Sequence, residues 1–242
     1  LVPQFNLIEN IVPAGQGIRC KKKYTELIPT KGGICWHWTA NEKPGANADA
    51  HRKYWERAEY GAHYVVDDKK VIHCVPDTEV VWHAGPGTDY TDYIRRKYPR
   101  GANLSLVGVE MCVNSDGDWN RTYQNAVALG VYLCKKYSFD PFSNFERHYD
   151  CTRKDCPRMW TPYVPGGEQA WQKFLYDVGV LLVDQVFTDI QGHWAEKEVL
   201  DAEELGLLAR PADGRFRPDD KITRAETIAL IMRLYRLLKG DA

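Results

Sequence analysis

His148 and Cys156 stand eight positions apart in a polar stretch, with Pro157 stiffening the exit. Imidazole and thiolate both bind zinc. Three protein donors and a water make a hydrolytic centre, because the metal draws the water's pKa toward neutrality. The third donor must come from elsewhere, and His37, His51, His63, His73 and His83 are available. His37 is the best placed, near the end of the alternating run Gly33–Ala40 and on the face away from Trp36 and Trp38. The apolar stretch Leu104–Cys112 carries one acid, Glu110. A carboxylate buried there is costly without a partner; at a strand end it would instead reach solvent or a salt bridge. Lys154, two residues before Cys156, offers positive charge to an oxyanion, or is a surface lysine. Spacing alone leaves the metal open, since an isolated His–Cys pair is more often coincidental than metal-binding.

The elements that must position these residues are legible from periodicity. Gly33–Ala40 alternates as a strand, with Ile34, Trp36 and Trp38 on one face and Cys35, His37 and Thr39 on the other. Ala48–Glu59 has helical spacing, with Asn47 or Asp49 as its cap. His63–Asp67 and Val71–Val75 flank a polar turn and predict a hairpin. Leu104–Cys112 reads as a strand, and Thr122–Tyr137 and Glu168–Gln185 as amphipathic helices. Strands alternating with helices place residues 1–184 in the α/β class. From Phe187 the pattern changes to two helices, Ala195–Glu204 and Thr223–Leu238, around a Pro/Gly/Asp-rich loop. A small all-α helix-loop-helix domain over 185–242 is expected.

Composition narrows the classes. The 242 residues are 44% apolar and 27% charged with a formal net charge of -1, which describes a globular chain. No basic stripe marks a nucleic-acid partner. The apolar run Val178–Val183 is far too short to span a membrane. No basic-then-apolar leader opens the chain, so synthesis in a cytoplasm is expected. Seven cysteines, an odd number, do not make a disulfide framework; Cys35, Cys112 and Cys134 are expected as buried thiols.

In order along the chain, CWHWTA (35–40), GAHYVVDD (61–68), VWHAG (81–85), VGVEMC (107–112) and RHYDCTRKDCP (147–157) resemble the type-2 family of zinc-dependent N-acetylmuramoyl-L-alanine amidases. That family includes phage endolysins, bacterial recycling amidases and peptidoglycan recognition proteins. The resemblance covers about residues 20–180. It implies a central mixed β-sheet flanked by helices, with Zn2+ held by His37, His148 and Cys156. It implies Glu110 as the catalytic carboxylate, Lys154 near the reacting carbonyl, and His83 lining the substrate cleft. Some members have a tyrosine where this chain has Ala62, a departure that moves the burden of proton transfer onto Glu110. The implied activity is hydrolysis of the MurNAc–L-Ala amide of peptidoglycan by a phage or prophage endolysin, made in the host cytoplasm and acting at the wall. A host wall-remodelling or spore-associated amidase, or a non-catalytic peptidoglycan-binding module, are the competing classes.

The segment from Phe187, with its FTD…HWA opening and ITRAE run (Ile222–Glu226), resembles one S-layer homology repeat over about 187–238. The resemblance implies binding to a secondary cell-wall polymer. Asp189, Trp194 and Arg224 match positions that the family uses for structure or ligand contact. The loop ARPADG (209–214) departs from the usual glycine-tyrosine entry. Such repeats usually come in threes, so a single one implies either a monomer or a homotrimer.

Overall fold

Short β-branched and aromatic runs separated by capped helices build one six-stranded sheet. A computed structural model gives the structure and describes residues 5–19, 32–183, 187, 189–205, 207–208 and 214–239. In chain order the elements begin with β1 (Leu7–Glu9), β2 (Gly33–Trp38), α1 (Ala48–Tyr54), β3 (Tyr64–Val66) and β4 (Val71–His73). Next come α2 (Asp92–Lys97), α3 (Ala102–Ser105), β5 (Leu106–Met111), α4 (Trp119–Tyr137), α5 (Pro141–Asn144), β6 (Phe145–Arg147) and α6 (His148–Thr152). The last three are α7 (Gly167–Val183), α8 (Glu196–Glu204) and α9 (Arg224–Lys239).

The strands lie in the order β1-β4-β3-β5-β2-β6. Every neighbouring pair is parallel except the β3–β4 hairpin. The expected mixed sheet flanked by helices is therefore present. Asp67 closes the hairpin turn, accepting hydrogen bonds from the backbone amides of Lys69 and Lys70.

Local chemistry explains the helix ends. Asn47 caps α1 by accepting from the Ala50 amide. This helix stops at Tyr54, short of the expected Glu59, and the chain turns beneath buried Trp55. Asp118 caps α4 through the amides of Asn120 and Arg121, starting it at Trp119, ahead of the expected Thr122. The strand expected from Leu104 begins at Leu106, because the preceding residues close a short helical turn after Gly101.

The alternation in β2 separates two cores. Trp36 packs into an aromatic cluster with Phe145, Trp160 and Phe174. Truncating such a side chain to alanine costs about 3–5 kcal/mol. Cys35 faces Tyr90, Ile94, Tyr98, Leu106 and Cys151 instead. Cys35, Cys112 and Cys134 are buried thiols as expected. Among the described residues no helix is long and apolar enough to cross a membrane.

The chain divides into two units, 2–179 and 180–242. The boundary expected between residues 184 and 185, like most of the 209–214 loop, lies outside the described residues. In the smaller unit Phe187, Ile190 and Val199 form a core with Leu200, Leu208 and Phe216 packed against it. The ITRAE run has a local reason. Thr223 accepts from the Glu226 amide while Glu226 accepts from the Thr223 amide, a reciprocal cap that starts α9.

Candidate active site

Three adjacent parallel strands deliver the site. In the β2–β5 register His37 lies opposite Glu110. Strand β6 pairs with β2 through Trp36 and Arg147, so His148, the next residue, opens α6 at the same end of the sheet. The carboxyl ends of parallel strands are where open α/β sheets hold ligands. Cys156 is brought back by its own backbone: its carbonyl accepts from the Tyr149 amide at 2.8 Å. The Trp38 amide hydrogen-bonds its sulfur.

Arg147 locks α6 in place. It makes two bonds to Asp150 and also donates to Glu168 and to the Trp160 carbonyl. Sequence reasoning did not single out this residue, although an arginine immediately before a candidate ligand histidine is a signal.

The three expected ligands converge. His37 Nδ1 lies 3.1 Å from His148 Nδ1 and 3.7 Å from Cys156 Sγ. The donor atoms of this trio all lie within 4.8 Å of one another, and all three residues are buried. Tetrahedral zinc with ordinary Zn–N and Zn–S bonds sets such donors about 3.3 and 3.6 Å apart. The donor set is two nitrogens and one sulfur, donors that zinc accepts, and three protein donors leave a corner open. Cys35, His37 and His83 form a second such group. It shares His37 with the first, and burial and contact with Cys151 push the Cys35 thiol well above its ordinary range.

Glu110 Oε2 is buried without a hydrogen-bond partner. Burial pushes its carboxyl up to about 8, against the opposing pull of Lys154. The residue is half-buried and lines the cleft, and among the described residues no salt bridge holds this oxygen. Burial first and Lys154 second lower His148 to about 3. His37 is also lowered, by burial and then by His148, His83 and Lys154. Both imidazoles are thus neutral with lone pairs to offer. Burial raises the Cys156 thiol, and Glu110 adds to this.

A cleft of about 500 Å³ is lined by Glu110, Lys154 and His83 together with Thr39, His51, Tyr54, Tyr60 and Trp82. Thr39 Oγ1 and His51 Nε2 are, like Glu110 Oε2, buried without partners. Sequence reasoning passed over both as cleft residues. The structure brings His83 against His37 as well as into the cleft, with its Nδ1 3.0 Å from His37 Nε2. Of the remaining expected site residues, Asp189 accepts from the Phe216 and Arg217 amides and so ties its own unit together. Trp194 is 84% exposed, and Arg224 opens α9 on the surface.

Comparison with known proteins fits this geometry. The family model N-acetylmuramoyl-L-alanine amidase matches residues 30–159, and the S-layer homology domain model matches 186–228. N-acetylmuramoyl-L-alanine amidase BlyA of Bacillus subtilis (strain 168) is 38% identical over 134 residues, 51% of this chain and 35% of that protein. N-acetylmuramoyl-L-alanine amidase CwlL of Bacillus licheniformis is 38% identical over 163 residues, 64% of this chain and 42% of that protein. The chain therefore spans well under half the length of these curated relatives. A mutant endolysin from Bacillus subtilis superposes with a TM-score of 0.58 at 27% identity, covering 73% of this chain and all of that one. The catalytic domain of XlyA gives 0.57 at 28%, covering 72% and 99%. With a matching model over more than half its length and this ligand geometry at its centre, the chain belongs to the N-acetylmuramoyl-L-alanine amidase family.

Proposed function

We propose that this chain is a zinc-dependent N-acetylmuramoyl-L-alanine amidase that cleaves the amide between MurNAc and L-alanine in peptidoglycan, in the manner of an endolysin. The observation that carries the reading is the meeting of His37, His148 and Cys156 beside an unpartnered Glu110 carboxyl. These three residues would hold the ion. When bound, zinc supplies Lewis acidity and a water acidic enough to attack at neutral pH.

The chain's own groups do the rest. Glu110, with its carboxyl near 8, is suited to take a proton from the attacking water and return it to the leaving amine nitrogen. Lys154 brings positive charge to the same cleft and opposes the charge that develops on the carbonyl oxygen. The cleft's tyrosines and Trp82 supply stacking surface for the substrate. His83 borders that cleft and is proposed as a substrate-side residue there.

We divide the chain into a catalytic domain over 1–184 and a wall-binding repeat over 185–242. Asp189, Trp194 and Arg224 are proposed to serve attachment to a secondary cell-wall polymer, Asp189 by holding the loop and Trp194 by its exposure. The chain acts at the cell wall. A monomer and a homotrimer are the alternatives for the assembly, and light scattering separates the two.

The test is mass analysis of digested peptidoglycan with and without a chelator. The expected products carry a free L-alanine amine and an intact MurNAc carboxyl, and vanish with chelator. Cleavage of a glycan bond, or full cleavage in excess chelator, overturns the reading.

A further inference from the structure

We propose that His83 is a positioning residue that fixes the proton of His37 on Nε2 and so leaves the Nδ1 lone pair for the metal; the inference rests on the zinc reading of the site. A carbonyl oxygen can only accept. His83 Nε2 lies 3.3 Å from the Leu106 carbonyl, so that nitrogen carries the hydrogen. A neutral imidazole has one hydrogen, which makes His83 Nδ1 an acceptor. That atom is 3.0 Å from His37 Nε2, and the contact is a hydrogen bond when His37 donates from Nε2. His37 Nδ1 is then a bare lone pair, and it is the atom that faces His148 and Cys156. The proton order runs in one direction, from the ligand through His83 to the backbone of β5.

The surroundings hold His83 to this task. The Asn103 carboxamide oxygen accepts from the amides of His83 at 2.9 Å and Ala84 at 2.7 Å, and its nitrogen donates to the Gly85 carbonyl at 2.8 Å. Beneath the ring lies Gly108 of β5, where a Cβ would come within 2.7 Å of His83 Cγ. Only a residue without a side chain lets the imidazole lie this close to the strand. The Gly108 amide in turn donates to His63 Nδ1 at 2.9 Å, fixing the strand at that point. Metal-bound histidines usually give their second N–H to a carboxylate, a carbonyl or water, and losing that partner weakens metal binding about 10- to 100-fold. Here a second imidazole is interposed before the carbonyl. The arrangement orients His37 without adding an anion to a site that already contains the Cys156 sulfur and the Glu110 carboxyl.

The test uses the full chain, zinc alone as the probe, and three variants: His83→Phe, His83→Gln and Gly108→Ala. Zinc affinity is read by chelator competition. The ring tautomer of His37 is read by nitrogen-15 NMR on metal-free protein. We expect His83→Phe to bind zinc about 10- to 100-fold more weakly and to lose the Nε2–H preference of His37. His83→Gln, whose amide oxygen can accept, should recover most of both. Gly108→Ala should weaken zinc in the same direction by displacing the ring. Unchanged affinity in His83→Phe, or a wild-type His37 protonated on Nδ1, overturns the proposal. A wild-type chain that takes up no zinc overturns the metal reading instead, and the tautomer measurement then still decides whether His83 orders His37.

Discussion

Two groups of titratable side chains share one sheet, yet their partners leave them in opposite states. Around Asp77, at the β3–β4 side, the polar groups find partners. Asp77 accepts from Tyr64, Lys136 and Tyr137, and its other oxygen lies 3.2 Å from His73 Nε2. His73 in turn meets Glu9 and stacks on Tyr64. Burial alone would raise Asp77, but His73, His63, Lys136 and Tyr137 outweigh it and hold the carboxylate well below its usual range. At the carboxyl ends of β2, β5 and β6, Glu110 is half-buried at the cleft with its Oε2 unpartnered, and burial against only the pull of Lys154 lifts it to about 8. The first cluster is held ionised by its partners, although Asp77 Oδ1 and His73 Nε2 lie 3.2 Å apart without a well-formed hydrogen bond. The second has neutral imidazoles, an unpaired carboxyl oxygen and a protonated thiol, a set completed by a cation. Partners, rather than depth, decide which buried group is structural and which is poised to react.

That contrast can be broken in several ways. Cys156→Ala should have the largest effect, abolishing stoichiometric zinc and reducing turnover to background while the fold persists; elemental analysis beside circular dichroism reads both, and a full zinc equivalent in the variant would discard the ligand assignment. Glu110→Gln should keep its zinc yet lose about 10²- to 10⁴-fold in kcat. Wild-type turnover would remove Glu110 from proton transfer. Asp77→Ala should do the reverse, lowering stability by about 3–5 kcal/mol because Lys136 and His73 lose their counter-charge. Its zinc content should be unchanged, so chemical denaturation and metal analysis together separate the two regions.

The pH responses sharpen the comparison further. Zinc uptake must displace the Cys156 proton, so affinity should fall about tenfold for each unit of decreasing pH. His148 stays neutral down to about 3, so the slope should remain near one proton through the mildly acid range. A slope approaching three would show that the imidazoles compete as well. The smallest effect belongs to His73. Burial opposes its charge, but Asp77 and Glu9 raise it overall. Its contribution to stability is therefore complete below the unfolded value of about 6.5 and is lost as pH rises through the folded value. His73→Gln should flatten that part of the stability profile.

The two regions also differed in legibility. Strand β2 announced itself by alternation, and Glu110 by being an acid in an apolar run. The hairpin and the long helices α4 and α7 followed from periodicity. Strand β6 did not, because two of its three residues, Glu146 and Arg147, are charged and yet buried. Apart from Asp150, three residues after Arg147, their partners come from further away in the chain: Lys97 and Tyr93 for Glu146 and Glu168 for Arg147. The same holds for Asp77, whose partners span residues 64 to 137. Local pattern reveals side chains that bury grease and hides those that bury paired charge. His83 illustrates the point at the site itself: its motif marked it, but only its distances to His37 and Leu106 show what it touches.

The pairing of His37 with Glu110 in adjacent strands has a further consequence. The gap between the proposed ligand His37 and Glu110 is ruled by the backbone ladder, whose repeat no side-chain exchange can alter. Substitutions can change the acidity of either group but scarcely the span between them. A one-residue insertion or deletion within either strand would turn its partner's opposite number toward the other face of the sheet. Point changes can therefore tune this centre, whereas length changes in these two strands would erase it.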